Sequence, residues 1–283
     1  MSRSQDSTTR TTQGADGIAI EFFQMTDVGC AREENEDAIG FWPWEDGHFF
    51  AVADGLGGHA AGEVASALAL EVLAREMGRA PGAGSPAKRL RRAVKQANLE
   101  IYQKAITVPG LHRMGTTLTA SVVTGGGLVA AHVGDSRLYL LRNGALSQLT
   151  KDHTSVWEQV EYGILSPDEA ARHPNRHSLT RYLGHDLIAA VDVITMDIRA
   201  QDVLVQCSDG VHDVLPEPEM ADLLRKNRPE AACREIIRRC LDAGGSDNMS
   251  LQVAAVVSCG AASAPPSRWR FWRPGASGDV PPV

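Results

Sequence analysis

Hydrophobic and polar positions change their spacing several times along this chain, and each change predicts an element. In "AVADGLGGHAAGEVASALAL", residues 51–70, an apolar run stops at one carboxylate, Asp54, and a glycine turn follows. That predicts a buried strand ending at a place where the backbone must approach something closely. In "GEVASALALEVLAREMG", residues 62–78, Val64, Leu68, Val72, Leu73 and Met77 fall on one helical face. Residues 88–106 form a second amphipathic segment with basic residues on its outer side. The period then shortens. "TTLTASVVT" at 116–124 is rich in β-branched residues and predicts a strand. "GLVAAHVG" and "SRLYLLRNGALSQLT" continue the pattern, and Asn143-Gly144 is a strong hairpin signal. "DVLVQCSDG" at 202–210 predicts a buried strand ending at an Asp. Residues 217–226 and 229–242 predict helices, and "NMSLQVAAVV" at 248–257 a final strand. Strands gathered into hairpins predict an α+β fold with antiparallel sheets covered by helices, rather than a doubly wound parallel sheet.

The ends differ from this body. Residues 1–17 are rich in Ser, Thr and Gln and read as a disordered N-terminal tail. Residues 261–283 are rich in Pro, Gly and Ser and read as a C-terminal tail. Residues 18–260 read as one domain, with a less regular segment at 154–186 as a flap beside a site. Composition adds exclusions. Lys and Arg total 28 against 35 Asp and Glu, a net charge of -7, which argues against a nucleic-acid binder. The five cysteines include no pair at metal or redox spacing and read as reduced residues of a cytoplasmic protein. No run of ~18 apolar residues predicts a membrane span.

Carboxylates recur where the predicted strands end: Glu36 and Asp37 in "REENEDA", Asp54, Asp135 in "VGDSR", Asp209 in "CSDG" and Asp247 in "GGSDNMS". One Asp-Gly pair alone is ordinarily a turn. If these groups converge, their repulsion must be relieved by raised pKa values or by a cation. Oxygen ligands without sulfur or imidazole suit Mg²⁺ or Mn²⁺.

The ordered set "TDVGCAREENEDA", "FFAVADGLGGHAAGEVAS", "GTTLTASVV", "AHVGDSRLYLLRNG", "LTKDHT", "LTRYLG", "LVQCSDGVHDVL" and "GGSDNMSLQVAAV" resembles the metal-dependent Ser/Thr protein phosphatases of type 2C, the PPM family, of bacterial type. The resemblance runs from about Asp27 to Val257. It implies two antiparallel β-sheets packed as a central sandwich with helices on both outer faces. It implies two core Mn²⁺ or Mg²⁺ ions and a third, weaker one. Asp54 would bridge the core ions, the Gly55 carbonyl would help hold one, and Asp209 and Asp247 would complete the other. Glu36 and Asp37 resemble the acidic pair that orients waters on the metals, and Asp135 with Asp209 the third site. Arg32 corresponds to the arginine that grips phosphate, and His59 to the histidine proposed as general acid. Implied partners are phosphorylated proteins and a cognate Ser/Thr kinase, with hydrolysis by an activated water, no phospho-enzyme, and a monomeric protein. His132, inside a strand-like run, reads as a satisfied core histidine, and Ser136-Arg137 as fixing the Asp135 turn. The chain departs from the family pattern at His177, Tyr182 and His212, departures that bear on substrate selection.

Overall fold

Side chains alternate across a strand with a period of two, and here that alternation sorts the strands between three cores. The computed structural model describes residues 4–13, 17–44, 47–58, 60–79 and 84–259. Its strands are β1 (Ser4–Gln13), β2 (Ala19–Asp27), β3 (Ala38–Trp44), β4 (Gly47–Ala53), β5 (Gly55–Leu56), β6 (Gly115–Thr116), β7 (Leu118–Thr124), β8 (Gly127–Val133), β9 (Arg137–Arg142), β10 (Ala145–Gln148), β11 (Asp192–Met196), β12 (Val203–Cys207) and β13 (Met249–Ser258). Its helices are α1 (Ala60–Gly78), α2 (Pro86–Thr107), α3 (Ser155–Glu161), α4 (Pro167–Arg172), α5 (Asp209–His212), α6 (Glu217–Lys226) and α7 (Pro229–Asp242).

Two antiparallel sheets result. One has the order β1-β2-β13-β12-β9-β10 and the other β11-β8-β7-β4-β3, while β5 and β6 form a short separate pair. On β9, Leu138 and Leu140 face a core shared with Phe22, Phe50, Leu128 and Leu204, which lies between the sheets. Tyr139 and Leu141 face the opposite way, into a core with Met220, Leu224, Ile236 and Ile237 of α6 and α7. On β4, Phe50 points between the sheets, whereas Phe49 and Ala51 join Leu73, Met77, Leu90 and Ile101 of α1 and α2. The layers are therefore helix, sheet, sheet, helix, as the resemblance implies.

The N-terminal expectation needs correction. Residues 4–13 do not form a disordered tail; they pair antiparallel with β2, Ser4 opposite Asp27 and Gln13 opposite Ala19. Four threonines in this stretch suit a strand, and the pairing satisfies the free edge of β2. The flap segment contains α3 and α4. Thr154 accepts a hydrogen bond from Trp157 N at the start of α3, and Ser166 and Glu169 form a capping box on α4. Residues 260–283 lie outside the described residues, as do residues 1–3 and 14–16.

Candidate metal centre

The inner face of the first sheet becomes polar in steps toward one end. Phe22, Ala254 and Leu204 pair across neighbouring strands in the apolar interior. Two residues along each strand the layer is Gln24, Gln252 and Gln206. Gln206 Nε2 donates to Gln252 Oε1 at 2.9 Å, and Gln252 Nε2 donates to Gln24 Oε1 at 2.7 Å. Two further residues along, the layer is hydroxyls. Thr26 and Ser250 lie 2.8 Å apart, Ser250 N donates to Ser208 Oγ at 2.9 Å, and Ser208 O–H donates to Asp37 Oδ2 at 2.7 Å. Each buried polar group thus leans on the next, which offsets the cost of removing it from water.

Beyond that layer a cleft of about 430 Å³ opens, lined among others by Arg32, Glu36, Asp54, Asp135, Asp209 and Asp247. Asp37 lies behind it, buried. Asp54 leaves β4 held on both backbone groups. Its N–H donates to Thr117 Oγ1 at 3.0 Å, and its carbonyl accepts from Thr117 N at 2.9 Å and from Thr116 Oγ1 at 2.8 Å. Gly55 must be glycine, because a Cβ there would come within 2.3 Å of Gly62 O and 2.5 Å of Glu36 O. The loop 28–36 is pinned by one carboxamide. Asn248 Oδ1 accepts from Glu36 N at 2.9 Å, and Asn248 Nδ2 donates to Val28 O at 2.9 Å and Glu34 O at 3.0 Å. That loop presents Arg32, whose Nη2 donates to Asp247 Oδ2 at 2.8 Å.

The electrostatics show that the carboxylates converge. Burial pushes Asp54 well above the usual carboxylate range, and the charges of Asp37, Asp209, Asp135 and Asp247 push it further. Burial and the Asp209 charge raise Asp135 in the same way. Burial raises Asp37 to about 7 against the lowering effect of Ser208, and burial also raises Asp209. Partial burial opposes the Arg32 charge, but Asp247, Glu36 and Asp209 outweigh it and raise its pKa.

A buried cleft that gathers this many carboxylates is built for cations. Asp37 Oδ1 is buried and accepts no hydrogen bond among the described residues, so a further donor or cation fits there. The donor set of carboxylates and backbone carbonyls matches Mg²⁺ or Mn²⁺. The flap adds one nitrogen: His177 Nδ1 lies 3.3 Å from Asp213 Oδ2 and 3.7 Å from Asp209 Oδ2.

Of the residues singled out in the sequence, Arg32, Glu36, Asp54, Gly55, Asp135, Asp209 and Asp247 line one cleft, and Asp37 stands behind it. His59 lies outside the described residues. His132 is buried; its Nε2 donates to the Lys151 carbonyl at 3.0 Å and its Nδ1 lies 2.9 Å from Thr119 Oγ1. Ser136 supports the Asp54 turn through Thr117 Oγ1 at 2.7 Å, whereas Arg137 pairs with Asp152 instead of fixing the Asp135 turn. Sequence reasoning gave no role to Thr116, Thr117, Asn248 or Asp213. The Asp-Asn step at 247–248 was the available signal for Asn248, since a buried carboxamide beside a site carboxylate needs several partners.

Comparison with known proteins follows the geometry. The family model described as protein phosphatase 2C matches residues 31–254. The chain is 38% identical over 242 residues to the serine/threonine protein phosphatase PstP of Mycobacterium tuberculosis, covering 85% of this chain and 46% of that one. It therefore spans about half the length of that relative. It is 37% identical over 231 residues to the serine/threonine phosphatase stp of Listeria welshimeri, covering 80% of this chain and 92% of that one. The catalytic domain of PstP, solved with two manganese ions, superposes with a TM-score of 0.74 at 36% identity, covering 85% of this chain and 99% of that one.

Proposed function

The chain belongs to the protein phosphatase 2C family, and on that premise we propose that it hydrolyses phosphoserine and phosphothreonine in proteins, opposing a Ser/Thr kinase. The observation that supports this most is the convergence of Asp54, Asp135, Asp209 and Asp247 with Arg32 on one cleft. Asp54 and the Gly55 carbonyl, with Asp209 and Asp247, are the proposed ligands of two core ions, Mn²⁺ or Mg²⁺. Asp135 with Asp209 is the proposed third, weaker site. The ions supply charge for the phosphate oxygens and lower the pKa of water so that it can attack near neutral pH.

The chain's own residues do the rest. Glu36 and Asp37 accept hydrogen bonds from water in the site and orient it. Arg32 offers two parallel N–H groups to two phosphate oxygens, a geometry a guanidinium matches well. It is half-exposed at the mouth of the cleft, so an entering phosphate reaches it without rearranging the core. His59 gives its proton to the leaving serine or threonine oxygen. The attack on phosphorus is made by water directly, and no phospho-enzyme forms.

A single-turnover reaction on a phosphothreonine peptide in ¹⁸O-water tests the reading. One ¹⁸O in the released phosphate, with no phosphorylated protein trapped by acid quench, is the expected result. Trapped phosphoprotein, or hydrolysis of small phosphoesters alone, would overturn it.

A further inference from the structure

We propose that a second cleft, under the flap, is a subsite for an apolar side chain of the phosphoprotein substrate, close to the phosphorylated residue; the proposal rests on the phosphatase reading above. This cleft has a volume of about 190 Å³. Asp135 and His177 line both it and the carboxylate cleft, so the two adjoin. A polypeptide held by its phosphate in the first can extend along the mouth of the second.

The chemistry of its walls selects the occupant. The flap wall is apolar: Val156 and Trp157 come from α3, and Pro167 and Ala170 from α4. Val156 and Ala170 are each 3% exposed, so they are fixed parts of the fold. The capped starts of α3 and α4 hold this wall in place before any ligand arrives. On the other wall every charge but that of Asp135 has a partner. Arg137 bonds Asp152 through Nε at 3.0 Å and Nη2 at 2.6 Å, and Asp213 lies 3.2 Å from His212 Nδ1 and 3.8 Å from Arg176 Nε. A glutamate entering would lose water and meet the Asp135, Asp152 and Asp213 carboxylates, and a lysine would have only the buried Asp135, where the two clefts meet, left to pair with. A leucine or methionine would lose only apolar hydration and gain contact with the flap. Extended residues rise about 3.3 Å each and alternate faces, so the occupant sits within about two positions of the phosphorylated residue.

The test uses phosphothreonine peptides with alanine at every flanking position, and leucine, lysine or glutamate placed singly from three before to three after. Leucine at one position within two of the phosphothreonine should raise kcat/KM by about tenfold, and lysine or glutamate there should not. Ala170→Leu, which fills the cleft, and Trp157→Ala, which removes its wall, should each erase that preference. Both should leave turnover of p-nitrophenyl phosphate near wild type. Equal kcat/KM for every leucine peptide, or a preference that survives in Trp157→Ala with the flap intact, would overturn the subsite. The all-alanine peptide separates the two readings. If it is hydrolysed and no leucine position helps, the subsite is wrong and the phosphatase reading stands; if no phosphopeptide is hydrolysed, both fall.

Discussion

Replacing Asn248 with alanine removes one side chain that joins β13 to the loop presenting Arg32. Its carboxamide is 4% exposed and makes three hydrogen bonds to backbone groups: Glu36 N, Val28 O and Glu34 O. At about 1 kcal/mol net per bond, with buried groups left unpaired, the loss amounts to roughly 3 kcal/mol. For a chain of this size that corresponds to a Tm lower by roughly 6–12 °C. The loop carries Arg32, so KM for a phosphopeptide should rise more than kcat falls. Asn248→Asp keeps the acceptor for Glu36 N but loses both donors and adds charge beside Asp247; it should be no more stable than the alanine variant without metal. Urea unfolding at pH 7, with phosphopeptide kinetics on the same samples, measures both effects. A stability change under about 0.5 kcal/mol, the range of an ordinary surface substitution, with KM unchanged, would refute the pinning argument.

Arg32→Ala should raise phosphopeptide KM at least tenfold while leaving Mn²⁺ affinity, read by calorimetry, within a few-fold of wild type; the reverse pattern would assign Arg32 to the metals. His132 gives a pH prediction. Burial, with the nearby His153, holds its pKa at about 4, against about 6.5 unfolded. The unfolded chain therefore binds a proton first, and the stability is present above about 6.5 and lost as pH falls toward 4. From pH 7 to 5 the wild type should lose about 2 kcal/mol more than His132→Gln in urea unfolding; parallel losses would mean that His132 is not buried neutral. His59→Gln should depress turnover of a phosphothreonine peptide by ~10²–10⁴-fold and spare p-nitrophenyl phosphate, whose leaving group needs no proton. Equal losses on both would remove the general-acid role.

Some elements were legible because local signals agree. Residues 217–226 and 229–242 were expected as helices, and α6 and α7 occupy Glu217–Lys226 and Pro229–Asp242. Each pairs an apolar stripe with a proline in its first turn, where the missing N–H costs nothing. The hairpin at Asn143-Gly144 joins β9 to β10, with φ of 52° and 77° at the two turn residues. β2 was less visible. From Phe22 to Asp27 it is buried on both faces, because it lies between α7 on one side and the second sheet on the other. A strand buried twice shows no alternation. The tail reading failed over residues 4–13 for a related reason: an edge strand rich in Ser, Thr and Gln is stabilised by ladder hydrogen bonds to β2, which composition does not record.

The site divides in the same way. Its carboxylates stood out because each follows an apolar run and adjoins Gly or Ser. Their convergence depends on register between strands far apart in sequence, such as Gln24 opposite Gln252 and Thr26 opposite Ser250. No local pattern encodes that pairing. The ordered family motifs supplied it instead. His177 and Asp213 meet only because the flap folds back over α5, a tertiary contact with no signature in the residues themselves.

The central claim is that the repelling carboxylates form a divalent-metal centre that hydrolyses phosphoprotein. Phosphate release from a phosphothreonine peptide should therefore be followed in wild type and Asp54→Asn after exhaustive chelation, as Mn²⁺ is added back, with Tm recorded at each step. The account predicts no turnover by the chelated wild type, recovery together with a rise in Tm as Mn²⁺ binds, and in Asp54→Asn a folded protein with neither response. Full activity in the chelated wild type, or Mn²⁺-dependent recovery in Asp54→Asn, would contradict it.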